Sequence, residues 1–242
     1  MVTFIWDIVL LLIIQIFQKY KFEFLITILF FFKMSEKQKV VISIDTEFES
    51  SNIINGNCLQ LAFVVILDNP DYDELNNSES WILETLSLCF NKQEDKKTEE
   101  NTTNWWKGFP EILERIKSES KDIKDSMNEL QLFLNRIYSK YEVIGFLSDI
   151  SSVDMPWFRN LYLIHCDQSK NTFQLPWKCK CLENMIETLV LLGIEEKEIE
   201  KFCKNEKYPH THYAMDDAIE CGYFYLRLKL FMKQFKLQNS LT

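Results

Sequence analysis

Two acids at the end of an apolar run are the first residues able to do chemistry. Ser43-Ile44-Asp45-Thr46-Glu47-Phe48 follows directly on Lys39-Val40-Val41-Ile42. In a strand the side chains alternate between faces, so Asp45 and Glu47 share one face, about 7 Å apart along it. Carboxylates placed side by side repel unless a cation lies between them, and hard oxygen donors select Mg2+ or Mn2+. A second group is Pro209-His210-Thr211-His212-Tyr213-Ala214-Met215-Asp216-Asp217-Ala218. His212 precedes a helix-like segment whose first turn holds Asp217, and a neutral imidazole on such a loop can accept a proton from water. Read blandly, the same histidines are polar loop residues and the acids suit a helix start. A third group is Gly145-Phe146-Leu147-Ser148-Asp149-Ile150-Ser151-Ser152-Val153-Asp154. Here Asp149 directly follows a strand-like run, and Asp154 is placed to cap a helix opening at Met155-Pro156. Capping does not exclude ion binding.

These residues need a scaffold. Residues 39–44 are β-branched and read as a buried strand ending at Asp45, where α/β sheets place ligands. Residues 58–67 read as a second strand and 81–90 as a third, with turn chemistry at Asn69-Pro70-Asp71 and Asn76-Asn77-Ser78 between them. Residues 91–104 are charged and read as a solvated loop. Pro110 opens a helix carrying Ile112, Leu113 and Ile116 at helical spacing. Residues 123–138 are amphipathic, with Met127, Leu130, Leu134 and Ile137 along one stripe. A fourth strand over 143–147 precedes helices over 155–165, 183–192, 195–203 and 214–233. Three strands, then helices interleaved with another strand, predict an α/β sheet flanked by helices.

Composition narrows the function classes. The chain has 242 residues, net charge −9 and a pI near 5.0. An acidic chain does not hold nucleic acid by charge alone, but one whose carboxylates gather cations can act on a polyanion. With 47% hydrophobic residues it can bury a sizeable core, and 5 Gly and 5 Pro exclude collagen-like and low-complexity classes. Its 7 cysteines include no Cys-x-x-Cys pair and read as reduced thiols of a cytoplasmic or nuclear protein.

Residues 1–33 differ from the rest. Two apolar runs are separated by Lys19, Lys21 and Glu23, each too short to span a bilayer. No small-residue cleavage site follows them. A degenerate membrane anchor, a buried or interfacial helix and translation from an upstream start codon all remain open. The last is favoured, because Met34-Ser35-Glu36-Lys37 resembles a natural start just before the first strand. The body of the chain is accordingly taken as 34–242, with no stable membrane association expected of it.

In order and spacing the three groups resemble the DEDD family of 3′→5′ exonucleases. Asp45-Thr46-Glu47, followed by Phe48, resembles the first motif and Val153-Asp154 the second, with Val153 where the family has an aromatic. His212-x-Ala214-x-x-Asp217-Ala218 resembles the third motif of the histidine subgroup, which includes proofreading exonuclease domains, RNase T and oligoribonuclease. Residues 102–113, with Trp105-Trp106, resemble that subgroup's Trp-containing stretch. Tyr213, four residues before Asp217, fits the tyrosine subgroup's spacing equally well. The segment from Ala214 to Ala218 is nearer the histidine pattern, so His212 is preferred.

The likeness covers about residues 39–233 and implies a single RNase H-like domain with a mixed sheet. It implies hydrolysis of phosphodiester bonds at the 3′ ends of single-stranded DNA or RNA, with two ions, Mg2+ or Mn2+, held by Asp45, Glu47, Asp154 and Asp217. By the family pattern Asp45 bridges both ions, Glu47 and Asp217 serve the one at the attacking water, and Asp154 serves the one at the leaving group. His212 takes the water's proton, and Thr46 and Phe48 contact the terminal nucleotide. The alternative is a catalytically silent RNase H-like module that binds nucleic acid or protein.

Overall fold

The computed structural model describes residues 37–239 apart from 74 and 177. The expectations for residues 1–33, and the domain boundary at 34, lie outside the described residues. Five strands form one mixed sheet in the order β3-β2-β1-β4-β5. β1 (Lys39–Phe48) pairs antiparallel with β2 (Cys58–Leu67) and parallel with β4 (Glu142–Ser148). β3 (Ile82–Cys89) lies antiparallel to β2, and β5 (Cys179–Cys181) parallel to β4. Among the described residues seven helices flank this sheet: α1 (Glu100–Trp106), α2 (Pro110–Glu119), α3 (Ile123–Lys140), α4 (Ser151–His165), α5 (Leu182–Leu191), α6 (Glu196–Cys203) and α7 (Ala214–Asn239). This is the expected RNase H-like α/β architecture. Among the described residues no helix is long and apolar enough to cross a membrane, and all seven cysteines are free.

The alternation of β1 assigns each of its residues to one of two cores. Val40, Ile42 and Ile44 point with Phe63 and Val65 of β2 into a layer built from α3 and α4, where Leu130, Leu134 and Phe158 meet them. Val41, with Ala62, Val64 and Ile66, belongs to the opposite layer, built largely on α7 through Ala218, Leu226 and Leu228. A strand buried on both faces is apolar on both, and residues 40–44 accordingly carry a single polar side chain, the small Ser43. A one-residue slip would exchange the two layers, so burial on both sides pins the register.

Three local expectations need correction, and one strand has no counterpart among them. β1 does not end at Asp45 but continues to Phe48, with a shift in its pairing to β2 between Glu47 and Phe48. Residues 91–104 are not all loop, because α1 begins at Glu100. Tertiary packing overrides the charge run there: Trp106 is buried and its indole N–H donates to the Phe48 carbonyl at 3.0 Å. Ser50 and Ser51 donate to the Glu99 carboxylate just before the helix. Asp154 does not cap its helix, since α4 opens at Ser151 and takes Pro156 inside it, at the loss of one i→i−4 hydrogen bond. Finally, β5 carries no pattern of its own; with three residues it is defined only by its pairing to β4.

Phe158 lies fully buried, its ring 5.3 Å from Phe63 and 5.5 Å from Phe146. Phe158→Ala is expected to cost about 3–5 kcal/mol, through lost burial and the cavity left behind. Urea denaturation measures this, and a loss below about 1 kcal/mol would contradict the assignment of Phe158 to the core.

Candidate metal centre

The alternation that sorts the apolar part of β1 continues through its polar end. Asp45 and Glu47 are odd-numbered like Val41 and so face the α7 layer, where Asp217 stands in the first turn of the helix. Carboxylate oxygens from Asp45, Glu47 and Asp217 lie within 4.8 Å of one another. Glu47 and Asp217 are buried and Asp45 is half-buried. No lysine or arginine is ion-paired to any of the three among the described residues. Burial is the main cause raising all three carboxyls, and mutual repulsion adds to it for the strand pair. Asp45 rises well above the ordinary carboxylate range, crowded by Asp154, Glu47 and Asp217. Glu47 is pushed up to about 9, with Asp217 and Asp154 as its charged neighbours. Asp217 reaches about 6, held down in part by the hydrogen bonds described next.

Backbone donors fix Asp217. The N–H of Thr211 donates to Oδ1 at 2.7 Å and that of His212 to Oδ2 at 2.9 Å. His212 has φ 62°, a left-handed conformation that costs a residue with a Cβ but turns this N–H onto the carboxylate. Gln60 ties the start of α7 to the sheet. Its Oε1 accepts from the Ala214 N–H at 3.0 Å, and its amide donates to Ser87 at 2.9 Å.

Asp154 reaches the site from the other layer. Thr46, even-numbered, faces α4, and its Oγ1 donates to Asp154 Oδ1 at 2.7 Å. The Ser148 hydroxyl donates to the other oxygen. Burial raises Asp154 to about 6 against these two donors. Asp154 is not one of the three acids whose oxygens converge, but its charge acts on both Asp45 and Glu47. Asp149 lines a cleft of about 430 Å³ together with Asp45, Asp217, His210 and Glu220. Phe48 stacks on Trp157 of α4 with centroids 5.5 Å apart.

The two candidates in the third motif point to different places. The His212 ring packs edge-on against Trp105 at 4.7 Å, Phe109 at 4.4 Å and His210 at 4.6 Å. It offers a ring nitrogen to the same group as Asp217. Burial, then the neighbouring His210, lowers its pKa below the usual imidazole value, so the ring is neutral near pH 7. Tyr213 instead donates its hydroxyl to Glu119 at 2.5 Å beneath the Arg115 guanidinium. Burial and Glu119 push its pKa up to about 12.

Several side chains support the site without being among its expected residues. Gln60 had a legible signal, as the only side chain in β2 with an amide, charge or hydroxyl. Ser148, Phe109 and His210 lie within the stretches singled out above, but their contacts with Asp154, His212 and Asp217 come only from the fold. The donor set as a whole is hard, crowded and short of positive charge, and it suits oxygen-loving divalent cations.

No family model and no curated protein matches this chain. Solved structures do. Pop2p of S. pombe, in a form bound to Mg2+ and Mn2+, aligns with a TM-score of 0.53 at 12% identity, over 78% of this chain and 82% of that one. Cell-death related nuclease 4 aligns at 0.51 and 14% identity, over 81% and 64%. E. coli exonuclease I, in a zinc-bound complex with single-stranded DNA, aligns at 0.56 and 11% identity over 85% of this chain. The match takes in 43% of exonuclease I, a longer protein. The chain shares its fold with these three proteins.

Because Glu47 is raised from 4.5 to about 9, the folded metal-free protein keeps a proton that the unfolded chain releases between those values. Stability therefore falls as pH rises through that window. Without metal, Glu47→Gln is expected to exceed wild type by about 1–4 kcal/mol at about pH 8, and by less at about pH 5. Urea denaturation at both pH values measures this. A variant no more stable at the higher pH would contradict the crowding of these acids.

Proposed function

We propose that this chain is a metal-dependent 3′→5′ exonuclease that removes nucleotides from the 3′ ends of single-stranded nucleic acid. The observation that carries the reading is the convergence of Asp45, Glu47 and Asp217 within 4.8 Å, beside an imidazole kept neutral. A binding module has no need to hold such acids together against their repulsion. Fold likeness to nucleases supports the reading without assigning any residue.

Asp45, Glu47, Asp154 and Asp217 would hold two ions, Mg2+ or Mn2+. Bound there, such ions supply the positive charge that lets a nucleophile approach a phosphodiester and that stabilises its leaving oxygen. Asp217 is kept ionised and oriented by two backbone N–H groups. Thr46 acts through Asp154, holding one carboxylate oxygen while Ser148 holds the other; this makes it a positioning residue. His212 accepts the attacking water's proton at a ring nitrogen, a role its lowered pKa permits near pH 7. Trp105 and Phe109 fix that ring. Phe48, braced on Trp157, offers a surface for the terminal base, since stacking tolerates any base.

The test uses the full chain with 5′-labelled single-stranded RNA and DNA in Mg2+, Mn2+ or EDTA. A ladder shortening from the 3′ end is expected, abolished by EDTA and by Asp45→Ala, Glu47→Ala or Asp217→Ala. His212→Ala is expected to lower the rate by about 100- to 10,000-fold. Wild-type rates in any of the three acid variants would overturn the metal assignment. Absence of cleavage by a folded, metal-binding protein would move the reading to the silent module.

A further inference from the structure

Asp217 also belongs to a second group of donors, in which His210 joins two residues that the proposed reaction uses. His210, His212 and Asp217 each offer a ligand atom within 4.8 Å of the others. His210 Nδ1 lies 3.6 Å from Asp217 Oδ2 and 3.1 Å from Glu220 Oε2. The two imidazole rings stand at 88° with centroids 4.6 Å apart. They meet where the chain takes its left-handed turn at His212.

Two imidazoles and one carboxylate are a different donor set from the acids of β1. Mg2+ prefers oxygen throughout and keeps its waters, whereas two nitrogens and an oxygen, with an open position, suit Zn2+. We propose that His210, His212 and Asp217 form a separate site for Zn2+ that inhibits the enzyme by withdrawing His212 and Asp217 from the catalytic centre. Three observations support the site. The His210 side chain is 51% exposed, so an ion can enter and leave without the fold opening. Glu220 Oε2 lies 3.1 Å from the same His210 nitrogen that faces Asp217, so a second carboxylate stands beside the donors and adds negative charge there. The adjoining cleft carries Asp149, Glu196, Glu200 and Glu220 against a single lysine, Lys204, and such a field concentrates cations.

The inhibition rests on the proposed function, but zinc binding does not, and the experiment separates them. Zinc would be titrated calorimetrically into the metal-free full chain, its His210→Ala variant and its Glu220→Gln variant. The Mg2+-dependent ladder assay would run beside it with and without zinc. His210→Ala is expected to bind zinc at least about tenfold more weakly, and Glu220→Gln to bind it more weakly than wild type by a smaller factor, through the loss of one nearby negative charge. With each protein's own zinc-free rate as reference, the zinc needed to halve the rate of His210→Ala is expected to rise by the factor lost in affinity. Unchanged zinc affinity in His210→Ala would overturn the site. Equal inhibition of wild type and of a variant that no longer binds zinc would overturn its regulatory role. Zinc affinity that depends on His210 in a chain that cleaves nothing would uphold the site while removing the nuclease reading.

Discussion

Repulsion among carboxylates confined to a small volume is the constraint from which the rest of the site follows. Asp45, Glu47 and Asp217 would separate in a free chain; here three features keep them together. The pleat of β1 fixes the first two on one face. Gln60 anchors the start of α7 to β2, so the first helical turn cannot drift. The N–H groups of residues 211 and 212 hold the Asp217 carboxylate from behind. The stability for this comes from elsewhere, chiefly the two apolar layers that bury β1 on both faces. A divalent cation turns the repulsion into attraction, so ion binding and stability are coupled through these side chains.

Under the proposed function, the same constraint would reconcile an acidic chain with a polyanionic substrate. A net charge of −9 opposes binding by counterion release, the route that basic proteins use. The aromatic wall of Trp105 and Phe109 serves the other reactive group, since packing around His212 favours the neutral ring that can take a proton.

The acids of β1 were legible because a strand has a fixed period: once residues 39–44 are read as buried strand, the shared face of Asp45 and Glu47 follows. β2 could be bounded to the residue for the same reason, as an apolar run broken only by Gln60 between polar loops. The third motif was legible by residue type but not by direction. Whether His212 or Tyr213 faces the acids depends on a left-handed backbone turn that no residue preference dictates. Asp154 was misread as a cap because Asp before a helix usually bonds its own backbone, whereas here Thr46 and Ser148 take both of its oxygens. The helix over residues 100–106 was hidden by its charge, because its order comes from one buried indole and its bond to the Phe48 carbonyl. Long-range contacts of this kind leave no local signal.

The most direct measurement of the central claim is Mn2+ binding to the metal-free full chain, followed by electron paramagnetic resonance, for wild type and Asp45→Asn. The substitution keeps the shape of the side chain and removes its charge. Tight Mn2+ binding by wild type, strongly weakened in Asp45→Asn, is the predicted result. Equal binding by the two proteins would contradict the account, because the ion would then be held by residues other than the acids that β1 and α7 bring together.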